Sequence, residues 1–203
     1  MPEIPNERYK EIGATGNYNA KDNTIIFNRE AVKVVYQIAH ITKNPEDYFT
    51  RDLIHTLVHE LLHMASANYD HDKNISLTGF DKYPSENIAE KNRGLTEGFT
   101  ELLASIAIPS NHEIASGYFI EECLILQLIA LLGGDELLKI CYFGNKGTRP
   151  LEEKLEQIDG DQAKSFALFR DIEIYYCIEN DNEPQNLFAH IQSSLLDYLD
   201  ELL

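Results

Sequence analysis

His59, Glu60 and His63, in the stretch HELLHMASANY, are the first residues of this sequence whose types and spacing could do chemistry together. A spacing of four on a helix puts both imidazoles on one face at neighbouring heights, within reach of one tetrahedral cation. Glu60 lies about 100° further round, where it need not ligate and can act as general base on a water held by the metal. Two imidazoles are only half of such a centre. Catalytic zinc usually has three protein ligands and keeps a fourth position for water, so another element must supply a third.

Glu97, in GLTEGFTELL, is the best candidate, 34 residues after His63 and hence separated from it by enough chain for a loop and a return. Gly94 and Gly98 flank it, and a residue without a side chain beside a ligand permits close approach of a neighbouring helix. Glu101 is four residues on, on the same face, where it could accept the outer N–H of a ligating histidine. Taken alone, Glu97 and Glu101 also read as a solvated acidic stripe; beside the two-histidine helix they read as the other side of a metal site. His55 continues the face of His59 and His63. Three ligands in line on a straight helix cannot surround one metal, which assigns His55 to the surroundings of the site or to a cleft wall. His71 reads as an exposed loop histidine.

The elements that must position these residues are mostly helices. Asn44, Pro45, Glu46 and Asp47 form a helix start, and the helix they open runs to about residue 67. Leu57, Val58, Leu61 and Leu62 are expected to pack it into the core. A polar loop, NYDHDKNISLTGFDKYPSEN, leads to a helix that carries Glu97 and stops at Pro109. Ser110 to Glu113 has capping-box spacing and opens a third helix that ends at Gly133 and Gly134. Shorter helices follow near 135–142 and 150–158, and the tail from about 161 reads as two more amphipathic helices. Ahead of them all, turn residues and the run Thr24, Ile25, Ile26, Phe27 predict a hairpin or turn leading into a strand. No internal repeat stands out. The expectation is one α+β, predominantly helical domain over 1–203, with a short N-terminal β hairpin or small sheet, the histidine and glutamate helices within about 1–110, and a helical region over about 111–203.

With 43% hydrophobic residues the chain can bury a substantial core. Its 34 acidic against 17 basic residues, a formal charge of −17, disfavour nucleic-acid backbones and anionic membranes as partners. The run CLILQLIALL is too short to span a bilayer, and the first residues lack a signal-peptide pattern. Cys123, Cys141 and Cys177 are odd in number, lie in apolar segments and read as buried thiols. Together these features predict a cytoplasmic protein; the oligomeric state is not legible.

HELLH followed by LTEGFTE resembles the gluzincin branch of zinc metallopeptidases, in which HExxH on one helix is completed by a glutamate on the next. The likeness covers roughly residues 55–105 and is to the thermolysin-like core of a zincin-like fold. It implies one zinc ion per chain, His59, His63 and Glu97 as ligands, Glu60 as base and Glu101 as an outer partner. It further implies a peptide or protein substrate aligned along an edge strand, for which Thr24 to Phe27 is the candidate, and a hydrogen-bond donor to the developing oxyanion. Tyr118 is the first choice for that donor, ahead of Tyr83, Tyr69, His112 and His55. The patterns with a third histidine fit less well, since Ser66 and Tyr69 occupy the places they require. The expected activity is zinc-dependent endopeptidase chemistry; the alternative is a non-proteolytic zinc-dependent binding or regulatory domain with the same fold.

Overall fold

The computed structural model describes residues 15–33, 45–83, 91–108, 118–177 and 184–202. These are mostly helical, with two small antiparallel sheets, as the α+β reading expects. The chain groups into two compact units, Met1–Ala65 with Leu103–Ile114, and Ser66–Leu102 with Ala115–Leu203.

In the first unit, β1 (Gly16–Asn19) and β2 (Thr24–Phe27) form the expected hairpin, with Gly16 opposite Phe27 and Asn19 opposite Thr24. Its turn is built by side chains. Asn19 Oδ1 accepts from the Lys21 and Asp22 amides, Tyr18 donates to Asn23 Oδ1, and Asn23 adopts a φ of 49° that few residues other than asparagine and glycine tolerate. Asn28 then accepts from the Glu30 and Ala31 amides and starts a helical stretch at residue 29.

Helix α1 (Pro45–Ser66) follows; the capping residue expected for it, Asn44, lies outside the described residues. Its orientation corrects the expectation from the leucines. Leu57 and Leu61 are 39% and 43% exposed, and Val58 and Leu62 are only half-buried. The buried stripe is His55, His59, Glu60, His63 and Ser66. Leu57 precedes His59 by two residues, about 200° round the helix, so burying the histidine stripe turns Leu57 and Leu61 outward.

The second unit contains a sheet where a polar loop was expected. Strands β3 (Ala67–Asp70), β4 (Ile75–Thr78) and β5 (Asp81–Tyr83) form an antiparallel meander in that order. Its first turn repeats the chemistry of the β1–β2 turn. Asp70 Oδ1 accepts from the Asp72 and Lys73 amides, Tyr69 donates to Asn74 Oδ1, and Asn74 has a φ of 54°. Both turns share the short motif N-Y-[N/D]-x-x-x-N, at 17–23 and 68–74.

The helices of this part of the chain are α2 (Arg93–Ala107), α3 (Phe119–Leu132), α4 (Glu136–Phe143), α5 (Arg149–Asp159), α6 (Gln162–Cys177) and α7 (Pro184–Leu202). Tyr118 is the cap residue of α3, and the expected capping box at 110–113 lies outside the described residues. In the second unit's core Tyr142 meets Phe80 and Phe99 edge-on, with ring centroids 5.6 and 5.3 Å away, the two phenylalanines are tilted at 6.0 Å, and Thr100 Oγ1 lies 2.6 Å from the Tyr142 hydroxyl. Leu124, Leu128, Leu155, Leu168 and Ile191 fill the rest.

Of the three cysteines, Cys141 is buried, Cys123 half-buried and Cys177 exposed, which corrects the expectation of three buried thiols; Cys177 is the last residue of α6. No helix among the described residues is long and apolar enough to cross a membrane.

Candidate metal centre

On α1 the spacing of four does what helix geometry requires. His59 Nε2 and His63 Nε2 lie 3.0 Å apart, with the rings edge to face. Two nitrogens on one tetrahedral zinc would be separated by about 3.3 Å, so the pair has nearly the spacing of one edge of such a site. Among the described residues, His59, His63 and Glu97 each offer one atom able to ligate a metal. Two imidazole nitrogens and a carboxylate oxygen form a donor set that zinc accepts and that leaves a coordination position open.

Glu60 is buried beside the histidines, and the hairpin lies against it. At Gly16 of β1 a Cβ would come within 2.8 Å of Thr56 Cγ2 and 3.2 Å of Glu60 Cγ. The strand in contact with Glu60 is thus β1 at Gly16, while Thr24, Ile25, Ile26 and Phe27 form its hairpin partner.

Glu97 is half-buried on α2, and the glycines on either side admit two other helices. A Cβ at Gly94 would fall 2.9 Å from Tyr176 Cβ and 3.3 Å from the Ile172 carbonyl oxygen, both on α6. At Gly98 it would fall 2.7 Å from the backbone of Glu121 on α3. These contacts give Glu97 an acidic and phenolic neighbourhood. Burial pushes the Glu121 carboxyl above its usual range; the charge of Glu97 pushes the same way, and a backbone N–H partly offsets both. Burial raises Glu122 too, with the neighbouring charge of Glu101 adding to the effect. The Tyr176 phenol is raised by burial and then by Glu97, so it stays protonated and able to donate.

The start of α2 is held from a distance. Its first turn carries no acidic residue to meet the positive end of the helix dipole. Glu173 of α6 supplies one, its Oε2 accepting from the Gly94 N–H at 3.1 Å. Arg93 is met by Asp81 of β5 at 3.5 Å.

The remaining candidates fall as follows. Glu101 is buried on α2, and His55 is buried on α1 one turn before His59. Tyr118 is half-buried at the start of α3, its ring centroid 6.4 Å from that of Tyr176. Tyr69 is engaged with Asn74, His71 is exposed against the Tyr69 ring, and His112 lies outside the described residues. Gly16, Glu121, Glu173 and Tyr176 were not singled out by the sequence. Only Gly16 carried a local signal, as a glycine at the mouth of a predicted hairpin. Compared with known protein families, curated proteins and solved structures, the chain finds no match in any of the three.

Proposed function

We propose that this protein is a zinc-dependent peptidase in which His59, His63 and Glu97 hold the metal and Glu60 is the general base. The observation that carries the reading is the pairing of His59 Nε2 and His63 Nε2 at 3.0 Å, with buried Glu60 one residue from His59 and Glu97 offering a carboxylate oxygen as third ligand. Bound there, zinc would supply Lewis acidity and lower the pKa of a water towards about 7. Glu60 takes a proton from the attacking water and passes it to the leaving nitrogen, so that one peptide bond and one water become a carboxylate and an amine. Glu101 is the carboxylate on the ligand helix able to orient a histidine ring. Tyr118 and Tyr176 are the phenols able to donate to the oxyanion. The substrate is a peptide or an extended protein segment.

The test is Glu60→Gln, with metal content and peptide-library cleavage measured side by side. Zinc should remain at about one per chain while hydrolysis falls by roughly 10²–10⁴-fold, the contribution expected of a general base. Unchanged cleavage would remove Glu60 from its role. Zinc binding by the parent without cleavage of any peptide would favour a non-proteolytic metal-dependent module instead.

A further inference from the structure

We propose that α6 fixes the ligand-bearing turn of α2, with Glu173 as a positioning residue for Glu97. The inference rests on the metal reading of Glu97 and lies wholly within the second unit.

Three contacts from one face of α6 converge on Gly94, three residues before Glu97. Glu173 Oε2 accepts the Gly94 N–H at 3.1 Å, and Tyr176 and the Ile172 carbonyl pack where a Cβ at Gly94 would stand. Residues 172, 173 and 176 share one helical face. Glu173 is 1% exposed, so its carboxylate is held among packed side chains rather than on a mobile surface. The first N–H groups of a helix have no partner within the helix. With no acidic residue in the first turn of α2, the Gly94 N–H takes its acceptor from Glu173. Gly94 and Glu97 face the same way and are about one turn apart, so a shift at the Gly94 contact moves the Glu97 carboxylate with it. Metal affinity depends steeply on such shifts, because a ligand set pays in binding for every displacement from its preferred geometry.

The experiment measures zinc affinity by chelator competition on the folded full-length chain, together with the visible spectrum of the cobalt-substituted protein. Glu173→Ala should weaken zinc binding about tenfold and change the cobalt spectrum. Glu173→Gln keeps an acceptor oxygen of the same reach and should bind zinc within about threefold of the parent. Glu173→Asp keeps the charge but is one methylene shorter, and should lose affinity several-fold, which keeps the test decisive if the alanine variant does not fold. Leu155→Ala, a core truncation on α5, controls for simple loss of stability and should leave affinity unchanged.

Equal affinities for the parent and the Ala and Asp variants would overturn the positioning role. So would a Leu155→Ala protein that lost zinc as readily as Glu173→Ala. A parent that bound no zinc would instead overturn the metal reading on which the role depends.

Discussion

Glu60 is set by a contact with no side chain on the other side. Gly16 leaves the space into which a methyl group would press on Thr56 Cγ2 and Glu60 Cγ. Gly16→Ala is therefore expected to retain zinc yet slow hydrolysis by about tenfold or more, since small displacements of a base are costly to proton transfer. Parallel measurement of metal content and initial rates checks this, and a full rate would mean that the hairpin yields without moving Glu60. A second residue-scale consequence concerns Glu173. Burial holds its carboxyl above the usual 4.5; Asp81 pushes the same way, and the Gly94 N–H and Cys177 thiol only partly compensate. The native state thus binds this proton more tightly than the unfolded chain. Its contribution to stability is complete below about pH 4.5 and is lost as pH rises through the raised native value. Glu173→Gln escapes that loss, so the melting temperature of the metal-free variant should gain on the parent's as pH is raised towards neutrality. A gap between the two that did not change with pH would refute this. Of the candidate site, the groups His59, Glu60 and His63 on α1 and Glu97 and Glu101 on α2 were legible because about one helical turn fixes the spacing within each group. Glu173 and Tyr176 were not, because what places them at Gly94 is packing between helices about eighty residues apart.

Among the elements, the helices announced themselves through proline, acidic first turns and glycine stops. α1 begins at Pro45, and α3 ends at Gly133 with a φ of 76° and amides turned back on Ala130 and Ile129. The β3–β4–β5 sheet did not. Its strands are three or four residues long, partly exposed and rich in polar side chains, so neither alternation nor apolar runs stand out. The signal present was the turn, because the sequence that closes the first hairpin recurs in the second with the same Asx acceptor and left-handed asparagine. The facing of α1 was misjudged because a row of leucines usually marks the buried side, whereas here the polar stripe is the one enclosed. The approach of α3 to α2 at Gly98 allows a direct test. Gly98→Ala would put a methyl group against the rigid backbone of Glu121. It should cost about 1–3 kcal/mol in urea unfolding, as overpacking does, despite the better helix propensity of alanine. A variant as stable as the parent would show that the two helices can separate without penalty.

For the whole molecule, local and distant contacts divide the work of building the site. Each four-residue turn closes on itself, and His59 and His63 meet within one helix. The clamp on the Glu97 helix joins residues 79 positions apart. Local contacts form early, while distant ones must first meet the entropy of closing a long loop. On refolding from denaturant, far-UV dichroism should therefore recover before tight zinc uptake does; simultaneous recovery would mean that the clamp is not needed for tight binding. The same separation sets a clock during synthesis. At about 5–20 residues per second, Glu173 emerges several seconds after Gly94. For that interval the nascent chain carries Glu97 without the acceptor that anchors its helix, so the proposed metal centre, and any hydrolysis that depends on it, would be completed only after α6 has left the ribosome.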